Sequence, residues 1–198
     1  DIFVEDSLLY SVSENEYYDE RYSSIHLADG ANFVASSQLA IFASKTPNED
    51  GGDLVQYDAD CIKDYDYILA TIPAPVLIGG TLLNDGEYLE EGKTVPSSNI
   101  PTDKYAHYEN GVLTFKNFTY RGTDGVYAKY RILIHLVGNN NIFLDGNNSG
   151  ISVSDGDLCI SADNNGSMCI EAASCGIFAD TIRINSGNLF VNSVEIGR

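Results

Sequence analysis

The sequence contains no tryptophan, one methionine and only 11 Lys and Arg among 198 residues. That shortage of basic side chains excludes a nucleic-acid footprint, which needs clustered cations to neutralise phosphates. It equally disfavours adsorption to an anionic membrane surface. No run of about 18 apolar residues occurs, so no helix crosses a bilayer. Apolar residues at helical spacing are also missing, which leaves no convincing amphipathic helix. Proline is confined to one part of the chain: all five lie before residue 131, as do all 13 tyrosines.

Acid is present in excess, and unevenly. The formal charge is −18 and the pI is near 4.2. Residues 1–130 hold eight basic and 22 acidic side chains, net −14, whereas residues 131–198 hold three and seven, net −4. With 43% apolar residues, the length suits one domain or two small ones with a real core. The chain opens on Asp1-Ile2-Phe3 without Met, as expected of a mature secreted protein or a trimmed chain. The acidity itself reads as a solubilising feature of a secreted protein's outer loops.

After residue 125 the sequence becomes a series of apolar-x-apolar triplets separated by Asn, Gly, Ser and Asp. Such triplets are the period-2 signature of strands with one buried face, and the punctuating residues favour turns. Three stretches align. Gly125-Val-Tyr-Ala128, Ile132-Leu-Ile134 and Ile142-Phe-Leu144 form the first. Gly150-Ile-Ser-Val153, Leu158-Cys-Ile160 and Met168-Cys-Ile170 form the second. Gly176-Ile-Phe-Ala179, Ile182-Arg-Ile184 and Leu189-Phe-Val191 form the third. Corresponding positions recur every 21–26 residues. This is the repeat of a solenoid, in which each turn lies about 4.8 Å above the last and like residues stack in columns. The sequence therefore predicts an all-β fold: a short right-handed parallel β-helix of about three to five coils, three strands per coil, with a Tyr-rich N-terminal β region capping it. A β-sandwich of short strands is the alternative.

Three segments are expected: an acidic N-terminal β region, 1–75, with remnant coils of a preceding module as one reading; strands leading into and capping the solenoid, 76–124; and the coils, 125–198. The remnant-coil reading rests on Ile25-His-Leu-Ala-Asp-Gly30, which echoes Ile151-Ser-Val-Ser-Asp-Gly156, with Leu39-Ala-Ile41 as a further triplet. The middle residue of each triplet should face outward. Those columns are Tyr127/Ser152/Phe178, Leu133/Cys159/Arg183 and Phe143/Cys169/Phe190. The last is apolar in every coil, so it is covered by the Tyr-rich region or is itself a ligand surface.

The run Gly150-Ile-Ser-Val-Ser-Asp-Gly-Asp-Leu-Cys-Ile160, with Ser167-Met-Cys-Ile170 and Gly176-Ile-Phe-Ala-Asp180, resembles the rungs of bacterial secreted right-handed β-helix proteins described as carbohydrate-binding. Val76-Leu-Ile-Gly-Gly80 and Tyr108-Glu-Asn-Gly-Val-Leu-Thr-Phe-Lys-Asn117 resemble the segments that precede those rungs. The resemblance spans residues 76–193. It departs in the absence of Trp and in a shortened rung at Asp180-Thr-Ile182. It implies sugar binding at the cell surface or outside the cell and carries over no binding residue.

No residue pattern points to catalysis. His26, His107 and His135 share no motif, and no HExxH or nucleophile elbow occurs, nor any Ser-His-Asp motif. Polysaccharide lyases need basic groups beside the substrate, yet Lys is absent from 130–198. Carboxylate pairs suited to glycoside hydrolysis arise by chance among 29 acids. Cys61, Cys159, Cys169 and Cys175 form no C-x-x-C pair and are expected as partly buried thiols; a bridge from Cys61 to the C-terminal part is the alternative. The acidic runs 49–53, 58–60, 64–66 and 155–157, with 163–166, match no EF-hand or calcium-binding nonapeptide, so they are expected to form turns, with calcium the weaker reading and no other cofactor. Tyrosine is the residue a sugar surface would use. Tyr120, Tyr127 and Tyr130, with Phe143 and Phe190, are the binding candidates; sealing the coil end is the competing role for the three tyrosines. The leading expectation is a non-catalytic extracellular carbohydrate-binding or adhesion module, with glycans or other surface proteins as partners. A structural spacer without a ligand is second, and a β-helix lyase or hydrolase third.

Overall fold

The computed structural model describes residues 2–4, 9–12, 33–35, 40–44, 55–56, 67–71 and 74–193. All regular structure among them is strand. Two compact units divide between Pro73 and Ala74. In the first, β1 (Ile2–Val4) runs parallel to β3 (Phe33–Ala35). A separate antiparallel sheet has the order β2 (Leu9–Val12), β6 (Tyr67–Thr71), β4 (Ala40–Ser44), β5 (Val55–Gln56). Ala40 and Ile41 of the early triplet thus pair antiparallel with β6, which is not the parallel pairing of a coil. The echo at 25–30, Cys61 and the acidic runs 49–53, 58–60 and 64–66 lie outside the described residues.

The second unit contains the predicted repeat, and it is a β-solenoid with strands stacked in about three turns. The first turn consists of β13 (Val126–Val137) and β14 (Asn139–Leu144), and the second of β15 (Ile151–Ala162) and β16 (Ser167–Ala172). The third consists of β17 (Ile177–Phe178), β18 (Ile182–Ile184) and β19 (Asn188–Ser193). Parallel ladders place Val126, Ile151 and Ile177 in one column, and Ile132, Leu158 and Ile182 in another. Both follow the predicted alignment. Val126, Ile132, Ile134, Ile151, Leu158 and Ile160 belong to one buried cluster, because alternate residues of each triplet turn inward where no water reaches them.

The turns differ from the expected form in two ways. The first and second triplets share one bent 12-residue strand in β13 and in β15, and separate only in the third turn. The bend is a bulge: Tyr130 pairs with Asp155 but Ile132 pairs with Leu158, so Gly156 and Asp157 together oppose Arg131. The third strand is also out of the expected register by two residues in the first turn. Ile142 pairs with Ile170, so Asn141, and not Phe143, stands beside Cys169 and Phe190. The residue that takes the inward position beside Met168 is Asn140. It is buried, and its amide replaces water for the backbone: Nδ2 donates to the carbonyls of Val137 (3.4 Å), Gly138 (3.3 Å) and Ser167 (3.1 Å), while Oδ1 accepts from the Phe118 N–H (2.9 Å). A polar residue in a core column disguises the register. The column Phe143/Cys169/Phe190 therefore does not exist.

On the N-terminal side of the first turn, further strands extend both sheets. β11 (Val112–Lys116) lies parallel to the second half of β13, and β12 (Thr119–Gly122) parallel to β14. β10 (Tyr105–Glu109) and β9 (Glu87–Glu90) then continue the first sheet antiparallel. Along the first half of β13 runs β7 (Val76–Ile78), antiparallel, with β8 (Thr81–Leu83) beyond it. The β7–β8 turn is Gly79-Gly80, with φ of 58° and 76°, the two positive values that a two-residue type I′ hairpin requires. Past the third turn no further strand pairs with the stack among the described residues. Leu158 and Ile160 are fully buried, yet their column mates one turn later, Ile182 and Ile184, are 43% and 52% exposed.

Candidate functional site

The β-ladders gather five side chains into one outward column that crosses β8, β7, β13, β15 and β17. Leu82 pairs with Leu77, Leu77 with Tyr127, Tyr127 with Ser152, and Ser152 with Phe178. Directly paired residues project from the same face of a sheet, and the flanking Val76, Ile78, Val126, Ala128, Ile151 and Val153 are all buried on the other. Within the column Leu82, Tyr127 and Phe178 are exposed, at 48%, 40% and 55%, while Leu77 and Ser152 are half-buried. The Tyr127 ring is held in place by its hydroxyl, which lies 3.0 Å from Ser154 Oγ. Ser154 in turn donates to the Lys129 carbonyl (3.2 Å).

The sequence-derived candidates fall in different places. Tyr127 is part of this column. Tyr130 is exposed beside it, with Lys129 Nζ 4.8 Å from its ring centroid, and the hydrogen bond to Tyr130 raises the Lys129 pKa. Tyr120 faces the other way. It pairs with the inward Ile142, packs against the core and lies over Gly79 and Gly122; burial raises its pKa. Phe143 is outward but half-buried, with the Arg121 guanidinium 4.0 Å above its ring. Phe190 is exposed on the last turn. Leu77 and Leu82 were not expected, although the paired triplets around Gly79-Gly80 are a hairpin signal that pointed to them.

A second, polar row lies across β9, β10, β11, β13 and β15: Tyr88, His107, Thr114, His135 and Ser161. The Tyr88 and His107 rings stack at 3.8 Å with 9° between planes, and Tyr105 meets Tyr88 edge-on at 5.3 Å. His135 Nδ1 is 3.1 Å from Ser161 Oγ and its Nε2 is 3.3 Å from Asp163 Oδ1. No sequence motif announced this Ser–His–Asp chain, because the ladder between turns creates it. Acyl transfer also needs backbone donors beside the nucleophile. Here the N–H following Ser161, that of Ala162, is taken by Ser186 Oγ (2.9 Å), and that of Asp163 by the Leu136 carbonyl (3.0 Å).

Burial of His107 against Tyr88 lowers its pKa from 6.5, outweighing the opposite pull of Glu109 and Asp85. A base whose folded pKa is depressed takes up its proton more readily when unfolded. Its contribution to stability is therefore complete above pH 6.5 and is lost as pH falls toward the lower, folded value. Thermal melting between pH 7.5 and 5.5 should show a steeper fall for the native chain than for His107→Phe. Equal slopes would remove His107 from the acid response.

On the neighbouring stretch of β13, β15 and β18, the carboxylate of Asp157, placed by the bulge, receives Arg131 at 2.7 Å and Arg183 at 3.3 Å. These two arginines, the cations closest to the repeat's second triplets, are thus engaged with a structural carboxylate. Among the described residues no group of three or more His, Cys, Asp or Glu is arranged to hold a metal ion. Cys169 and Cys175 carry free thiols, and Cys159 is buried with Asn185 Nδ2 donating to its sulfur at 3.2 Å. No family model, no curated protein and no solved structure matches the chain.

Proposed function

We propose that the chain is a non-catalytic extracellular carbohydrate-binding or adhesion module of a secreted or cell-surface protein. In this reading the solenoid is right-handed, three faces make each turn, and a Tyr-rich region covers it, as in the secreted β-helix proteins it resembles. The observation that carries the proposal is the outward column Leu82–Leu77–Tyr127–Ser152–Phe178. It combines ring faces suited to the CH faces of sugars with hydroxyls that can hydrogen-bond them. It is open, regular and built on paired strands, whereas an apolar side chain facing water otherwise has no reason to recur in register.

The spacer reading draws on another observation, the exposed inward residues of the third turn, which would stack under a further rung. A glycan array probed with the full chain, with and without calcium, separates the two. Binding to plant, mucin or bacterial glycans that Tyr127→Ala weakens supports the module. Silence across all three classes would sink it.

A further inference from the structure

The exposed members of the column are not spaced at random. Leu82, Tyr127 and Phe178 occupy alternate strands, and the half-buried Leu77 and Ser152 stand between them. Adjacent strands lie about 4.8 Å apart, so the three apolar contacts recur at about 10 Å and span about 19 Å. An unbranched β-linked polysaccharide in its extended form turns the same face to one side at every second sugar. Its apolar faces therefore recur once per disaccharide, a length close to two strand spacings. Ser152, small and polar at the midpoint between two rings, leaves room for the intervening sugar and offers it a hydroxyl.

Charge narrows the ligand further. None of the five column residues is charged, and Lys129, two positions from Tyr127 on β13, already lies over the Tyr130 ring. The unit that carries them, residues 74–198, holds eight basic and 14 acidic side chains, net −6, a field that repels uronates and sulfated sugars. Resting on the carbohydrate-binding reading above, we infer that the column binds a neutral, extended, β-linked glycan laid along the stacking direction of the solenoid. Leu82, Tyr127 and Phe178 then sit under alternate sugars, and about five sugars are covered.

Calorimetric titration of the full chain with cello-, xylo- and manno-oligosaccharides, from disaccharide to hexasaccharide, tests this, with maltohexaose as the coiled counterpart and a uronate oligomer as the anionic one. Affinity for the best of the three series should rise at least about tenfold from disaccharide to pentasaccharide and then level off. Phe178→Ala should abolish the gain beyond the trisaccharide. Ser152→Trp, which fills the gap with a ring, should weaken the pentasaccharide more than the disaccharide. Both side chains lie on the outer face of the sheet, and circular dichroism checks that the variants fold. Equal affinity for maltohexaose, preference for the uronate, or no gain with length would overturn the extended-chain inference while leaving sugar binding intact. A glycan array positive only for other sugars would do the same. No binding in either assay would remove both.

Discussion

Replacing Gly150 with alanine is expected to unfold most of the solenoid under conditions where the native chain is fully folded. Gly125, Gly150 and Gly176 stack at one corner, where successive turns approach closely. A Cβ on Gly150 would lie 2.6 Å from the Gly176 carbonyl oxygen and against Ile170 Cγ2. Neither neighbour can withdraw. The turns are tied there by Val126 N–H to Gly150 O (2.9 Å), Gly150 N–H to Cys175 O (3.0 Å) and Ile151 N–H to Gly176 O (3.0 Å), and Ile170 is fully buried. Overpacking alone costs about 1–3 kcal/mol, and stretching the three ladder bonds adds to it. A total of about 3 kcal/mol or more, a Tm loss of roughly 6–12 °C at this size, follows. Gly92 provides the comparison, since its φ of 75° would strain alanine but nothing lies within 4 Å of an added Cβ. Gly92→Ala should cost only about 1 kcal/mol. Urea unfolding of the two variants distinguishes close approach from backbone strain, and equal midpoints would refute the stacked corner.

Asn140→Leu should also be severe, although the repeat pattern invites it. Its column mates are Met168 and Leu189, and leucine there would complete an apolar column. The structure predicts the reverse. Leucine removes the acceptor of the Phe118 N–H and a donor to the Ser167 carbonyl and leaves the buried Phe118 N–H without compensation. Such a group costs about 1–3 kcal/mol and the lost donor adds to it, so a loss of about 2–4 kcal/mol is expected. A leucine variant more stable than the native chain in the same urea series would show that water or other groups satisfy that backbone.

These two residues also mark where the sequence could and could not be read. Turn-to-turn register at Val126/Ile151 and Ile132/Leu158 was legible because inward positions hold aliphatic residues at constant spacing. It failed at the third strand because Asn140 looks polar and Phe143 looks apolar, while each is satisfied locally, by backbone carbonyls and by Arg121. The bend that joins two triplets into β13 was hidden because a bulge shifts register without breaking the apolar pattern. Of the candidate site, Tyr127 and Phe178 followed from alternation within the repeat. Leu77 and Leu82 did not, since they join the column through an antiparallel hairpin that is no part of the repeat. Tyr120 was visible as a tyrosine near the first turn, but its inward direction is fixed only by its pairing with Ile142. The Ser161–His135–Asp163 contact depends on residues 26 and 28 positions apart, which no local motif spans.

The third turn bears on motion. Among the described residues it is paired on one side only, and a turn held by one neighbour opens before a turn held by two. Amide hydrogen exchange should therefore be slow along β13 and β15 and progressively faster through β17, β18 and β19. Phe178 stands on that turn, while Leu82 stands on the hairpin at the other end of the column. A glycan reaching from one to the other would act as a clasp, slowing exchange in β17 by binding outside it. The grip of the column would then be strongest on a chain stiff enough to hold both ends at once.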